Sequence, residues 1–205
     1  MLTLFIANKN LSSWSLRPWI LLKMLNVPFT EAMETFVVNG NSYEKFKQFS
    51  PTGMVPCLQD GETVIWDSLA ISEYIAESYP NAWPKDKIAR AWARSASAEM
   101  HSGFQALRSQ CPMNCHPQTP KTDIDEALQQ NLQRIVQLWE QGLNQFGGPF
   151  LAGDHFTVVD AFFAPVAIRI TSYQLPISTA CQAWIGHMMN LPAMQQWIIE
   201  AKTEG

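Results

Sequence analysis

The spacing of hydrophobic positions changes period several times within the first eighty residues. Residues 2–6 form a short, nearly all-apolar run, which suits a central strand buried on both faces. Residues 16–25 carry Trp19, Ile20, Leu22, Met24 and Leu25 at helical spacing, and Asn26-Val27-Pro28 ends that helix. Pro18 is compatible with a helix only within the first turn, which puts Ser13 to Ser15 at the helix start. Residues 29–38 alternate and predict a second strand. A strand, a helix and a strand in so short a span make a βαβ unit, whose strands run parallel. Asn39-Gly40-Asn41 then reads as a turn, 42–49 as a short helix and 50–56 as a loop. Asp60-Gly61 joins strands at 57–59 and 63–66 in a hairpin, and a helix over 67–79 begins at Asp67 or Ser68 as its cap. The order βαβ, helix, ββα predicts a four-stranded mixed sheet with helices on its faces.

Past residue 79 the strand signals stop. Residues 80–86 contain Pro80 and Pro84 and read as a linker; 87–205 read as helix throughout. One long helix is predicted over 87–108 and another over 122–146, stopped by Gly147-Gly148-Pro149. A third, over 157–171, is apolar nearly all round, as a helix buried on every side must be. Shorter helices follow at 181–189 and 192–202. The chain thus divides into an αβ domain at 1–79 and an all-helical domain at 87–205.

Composition narrows the function. With 205 residues the chain can bury a full core, and 8 Trp and 11 Phe imply large aromatic surfaces, a subunit interface included. A net charge of -4 without a basic block argues against nucleic acid. No apolar run is long enough to span a membrane and no cationic leader precedes one, so a cytoplasmic protein with reduced thiols is expected. Cys111, Cys115 and His116 lack a well-spaced fourth ligand, so no metal is expected.

Three places carry candidate chemistry. Ser12-Ser13-Trp14-Ser15 puts hydroxyls at a helix N-terminus, where free N–H groups and the helix dipole favour an anion. Asp67-Ser68 opens another helix, where a carboxylate can hold an ammonium group while the helix start and hydroxyl hold a carboxylate; these are the two ends of an amino-acid head group. Val55-Pro56 precedes a strand and reads as an ordinary turn proline or, if the bond is cis, turns the Val55 backbone outward, where it could pair with an extended peptide-like ligand. A fourth feature, Thr157 with Asp160, reads as a structural capping box behind a hydrophobic staple at Phe156.

Taken together, these residues resemble the cytosolic glutathione S-transferases over essentially the whole chain. Gly53-Met54-Val55-Pro56-Cys57-Leu58 and Trp66-Asp67-Ser68-Leu69-Ala70-Ile71 look like the family's glutathione site, and Gly153-Asp154-His155-Phe156-Thr157-Val158-Val159-Asp160-Ala161 like its second-domain signature. Ser12-Ser13-Trp14-Ser15-Leu16-Arg17 is similar to the serine motif of the zeta class and departs from it at Trp14, where zeta enzymes have cysteine. The resemblance implies a thioredoxin-like first domain, glutathione as cosubstrate, a homodimer, and detoxification chemistry in which a serine hydroxyl holds the thiol as thiolate for attack on a small hydrophobic electrophile. By the same match, Ser12 is the thiol-activating residue with Ser13 next. Val55 and Pro56 would take the cysteinyl part, Asp67 and Ser68 the γ-glutamyl end, and Lys45 the glycine carboxylate. Arg17 would pair with a carboxylate or pack across the domain boundary, and His101, Phe104 and Arg108 could face the electrophile. A glutathione-dependent isomerase or peroxidase, or a binding protein without turnover, are the alternatives.

Overall fold

The computed structural model describes residues 1–38 and 40–204. The turn expected at 39–41 and the last residue of the helical domain therefore lie partly outside the described residues. Strands β1 (Leu2–Ile6), β2 (Phe29–Met33), β3 (Cys57–Asp60) and β4 (Thr63–Trp66) form one sheet in the order β2-β1-β3-β4. β1 and β2 are parallel, with Leu2 opposite Phe29; β3 is antiparallel to both β1 and β4. Leu4 and Ile6 are fully buried, and Phe5, on the opposite face, stacks on Phe49 at 4.4 Å between ring centroids.

Two expected lengths are corrected. β2 stops at Met33, because β1 ends at Ile6 and the last backbone bond between them is Glu34 N–H to Ile6 C=O, 2.9 Å. Beyond it, side chains take over: Phe36 N–H donates to Asn8 and Val37 N–H to Ser42. The helix expected over 42–49 is one turn, α2 (Tyr43–Phe46). Helix α1 (Ser13–Met24) begins earlier than its apolar spacing suggests. Pro18 therefore stands inside it, leaving the Trp14 carbonyl without its usual partner. Helix α3 (Ser68–Ser78) follows β4, and a 3-10 turn, Pro80–Ala82, leads away from the sheet.

The remaining helices are α4 (Lys87–Ser102), α5 (Gln105–Gln110), α6 (Glu126–Phe146), α7 (Val158–Tyr173), α8 (Thr179–Met189) and α9 (Pro192–Thr203). The single long helix expected over 87–108 is thus two. Gly103 is extended and Phe104 is left-handed at φ 63°, and the Arg108 guanidinium bonds the freed carbonyls of Met100 and Gly103. α7 is buried along almost its whole length and packs against α1, α4 and α8. Trp139 of α6 meets Phe163 of α7 and Trp184 of α8 at 5.7 and 4.3 Å. α6 comes close at Gly142, where a Cβ would stand 2.3 Å from the Leu151 carbonyl and 2.5 Å from the Trp92 ring. Gly142→Ala should therefore cost about 1–3 kcal/mol of stability, read as a lower urea midpoint at unchanged slope.

The end of the chain reaches back to the first domain. The Glu204 carboxylate accepts the N–H groups of Lys9 and Asn10 at 2.8 and 3.1 Å, and Trp197 Nε1 donates to the Lys9 carbonyl at 2.9 Å. The buried Lys9 ammonium pairs with Glu31 and Glu200. These bonds fix the turn that delivers Ser12 and Ser13 to the head of α1.

Candidate functional site

A groove runs along the head of α1, across Val55 and up to the head of α3. One lobe, about 480 Å³, is lined by Trp14, Thr52, Val55, Pro56, Asp67 and Ser68. The other, about 530 Å³, is lined by Ser12, Ser13, Tyr43, Met54 and Val55, with Trp14 on the wall between the two. The Val55-Pro56 bond is cis. Gly53 has φ +63°, and a Cβ there would meet the Tyr43 ring at 2.3 Å, so glycine is required to bring the loop against α2. A separate cavity of about 640 Å³, between α6 and 176–178, carries no charged side chain and shares no lining residue with the groove.

At the head of α3, Asp67 is the N-cap, in a positive-φ conformation at 74°. Its Oδ1 accepts the N–H of Leu69 at 2.8 Å and of Ala70 at 3.3 Å, and its Oδ2 lies 3.2 Å from Nε2 of His101 on α4. Burial holds His101 below the ordinary imidazole range; Asp67 opposes that, and the Arg17 and Arg108 charges reinforce it. His101 Nε2 thus stands within ion-pair distance of Asp67 while its burial opposes the charged form of the ring. The Ser68 hydroxyl is buried and has no partner among the described residues, which costs about 1–3 kcal/mol unless a ligand supplies one.

At the head of α1 the two adjacent serines differ. Ser12 occupies the N-cap position but caps nothing. Its hydroxyl donates to Ser15 Oγ at 2.7 Å, which also accepts the Ala7 N–H at 3.3 Å. Ser13 Oγ accepts from Arg169 Nη2 of α7 at 3.4 Å. Both serines are almost fully buried yet line the groove.

Behind the serines three guanidinium groups converge. Arg17 is fully buried, and Nε, Nη1 and Nη2 all lack a partner among the described residues; it lies 4.2 Å from the Trp14 ring and 4.7 Å from Phe162. Among the described residues it forms no ion pair with a carboxylate, and it packs across the domain boundary against Phe162 instead. Burial, then Arg108 and Arg169, push its pKa well down, with Asp67 opposing. Arg108 lies over the same Trp14 ring at 4.8 Å. Trp14, where the zeta motif has a thiol, is thus the aromatic surface on which these cations rest.

Lys45 is not brought into the groove: its ammonium bonds the Thr35 carbonyl at 2.8 Å and Glu34 at 3.1 Å. Phe104 is buried at the break between α4 and α5. Sequence reasoning passed over Arg169, and placed Ser15 at the helix start without giving it a partner. The one visible signal for Arg169 was a cation in a helix otherwise apolar all round.

The comparisons agree on the relatives of this chain. The family model for the glutathione S-transferase N-terminal domain matches residues 11–78, and that for the C-terminal domain matches 90–198. A zeta-class glutathione S-transferase of Euphorbia esula is 30% identical over 82% of this chain and 76% of its own length. A probable maleylacetoacetate isomerase of Caenorhabditis elegans is 29% identical over 82% of this chain and 78% of its own. Among solved structures, a glutathione transferase homologue from Burkholderia GL BGR1 with bound glutathione superposes with a TM-score of 0.71 at 22% identity, over 100% of this chain and 99% of that one. With both domain models matched in order over a thioredoxin-like sheet domain and a helical one, the chain belongs to the glutathione S-transferase family, with similarity to its zeta class.

Proposed function

We propose that this protein is a glutathione transferase in which Ser13, rather than Ser12, holds the glutathione thiol as thiolate. One observation supports that choice: Ser12 donates its proton to Ser15, whereas the Ser13 oxygen accepts from Arg169 and its own proton has no acceptor among the described residues. A free thiol with a pKa of about 8.5 is mostly protonated at pH 7. A hydrogen bond to a charged group supplies roughly 1.5–3 kcal/mol and a helix N-terminus about 0.3–1. Together these lower the thiol pKa by ~2 units, so no general base is needed. The thiolate attacks the electrophilic carbon; the C–S bond forms as the leaving group departs with its electron pair.

In this reading Val55 offers its backbone to the cysteinyl part, while Asp67 and Ser68 hold the γ-glutamyl ammonium and carboxylate. Ser68→Ala should raise the glutathione Kd about ten- to a hundredfold, measured by calorimetry. Conjugation of a generic chloroarene in the presence of glutathione tests the activity. Neither binding nor turnover would refute the enzymatic reading.

A second reading is a glutathione-dependent isomerase, in which the thiolate adds to a conjugated double bond and is later expelled. The guanidinium groups of Arg17 and Arg108 over Trp14, with Arg169 behind Ser13, favour an electrophile that carries a carboxylate. The isomerase named among the relatives is consistent with that. Turnover of an unsaturated dicarboxylate without loss of glutathione would distinguish it from transfer.

A further inference from the structure

We infer that Arg169, on the hub helix α7 of the second domain, is a positioning residue for thiol activation that acts through the Ser13 hydroxyl. The inference rests on the assignment of Ser13 above.

A guanidinium is out of place on α7. Fourteen of the sixteen residues in that helix are buried, and Arg169 itself is 4% exposed. Burying a charge is costly unless its donors are satisfied. Arg169 satisfies only part of its fork: Nε donates to the Cys111 carbonyl at 2.9 Å, Nη2 to Ser13 Oγ at 3.4 Å, and Nη1 has no partner among the described residues. Among the described residues no carboxylate forms an ion pair with it, and its charged neighbour Arg108 is a like charge. The Cys111 bond alone closes the α5 C-terminus and would need no second arm.

The arm to Ser13 has a chemical consequence. A serine oxygen that accepts a hydrogen bond from a cation turns its own proton away from that cation. It also becomes a better donor, because bonds in a chain polarise one another. Ser12, one residue earlier, has no such support and donates into the core at Ser15. Two neighbouring hydroxyls are thereby given different tasks, and the difference comes from a residue 156 positions away in sequence. The hub helix thus supports the site it packs against, in addition to holding the two domains together.

The experiment is the pH titration of thiolate absorbance for glutathione bound to four proteins: wild type, Arg169→Met, Ser13→Ala and the double variant. Arg169→Met should raise the midpoint by about one unit with the glutathione Kd little changed, a readout that a purely structural role would not move. In the Ser13→Ala background the same substitution should have no further effect. An equal shift in both backgrounds would mean that the charge acts through space, and would overturn the inference. So would an unmoved midpoint in Arg169→Met. If Ser13→Ala itself leaves the midpoint unchanged, the serine assignment fails and this inference fails with it, which is a separate and recognisable result. Should the methionine variant not fold, Arg169→Lys carries the test. One ammonium cannot serve both the Cys111 carbonyl and Ser13 as the fork does, so its midpoint should also rise, and an unmoved midpoint would again overturn the inference.

Discussion

Ser13→Ala is expected to lower kcat/KM for glutathione conjugation about a hundredfold at pH 7, with glutathione binding nearly intact. The Ser13 hydroxyl lines the groove, accepts from Arg169, and has its proton free for the thiolate. Losing a hydrogen bond to a charged group costs roughly 1.5–3 kcal/mol, or about ten- to a hundred-and-fifty-fold in rate. The loss should recover as the pH rises past about 8.5, where free thiol ionises unaided. Ser12→Ala should behave differently. It removes the buried bond to Ser15, so it should cost about 1 kcal/mol of stability and less than about fivefold in kcat/KM. Steady-state pH profiles of both variants check this. Equal losses in the two would contradict the division of roles between them.

Asp160→Ala should destabilise the protein by about 3–5 kcal/mol without touching the groove. Asp160 is fully buried at the start of α7. Its Oδ1 accepts the Leu151 N–H at 2.9 Å and Trp184 Nε1 at 3.4 Å; its Oδ2 accepts the Thr157 N–H at 3.0 Å and the Thr157 hydroxyl at 3.2 Å. One carboxylate thus ties the helix start, the 151 loop and α8 together. Alanine leaves those donors buried and unmet, beside a cavity. Burial pushes this carboxyl up to about 6, although all four donors pull it down. Because the folded-state pKa is raised, the folded protein holds the proton more tightly than the unfolded chain does. The stabilisation from that proton is full below about 4 and is lost as pH rises through about 6. The site therefore tolerates a neutral group, and Asp160→Asn should cost less than alanine. Urea unfolding at pH 7 measures the order of the three proteins, and a loss under about 1 kcal/mol in Asp160→Ala would refute this account of the junction.

Much of this architecture was legible in the sequence, for local reasons. The hairpin at Asp60-Gly61 needs only a turn dipeptide between two apolar runs, and the sheet follows from βαβ and ββα spacing. Errors arose where a partner elsewhere decides. Residues 34–38 alternate like a strand, but β1 ends before they could pair. A helical pattern continues through residue 103, and the break there is stabilised by side chains from further on, chiefly Arg108 on the carbonyls of Met100 and Gly103. The site divides in the same way. Asp67, Ser68 and Val55 stand at element ends and could be located by motif, and the structure lines one groove lobe with all three. Lys45 could be placed near that loop but not aimed, and Glu34 claims it. The choice between Ser12 and Ser13 depends on Ser15 and Arg169, and the second of these is brought close only by the packing of α7 on α1.

The most direct measurement is the thiol ionisation of glutathione bound to the wild-type protein, followed by thiolate absorbance between pH 5 and 9. Activation by a serine hydroxyl at a helix N-terminus predicts a midpoint near pH 6.5, about two units below the free thiol. A midpoint at or above about pH 8, with glutathione demonstrably bound, would contradict it.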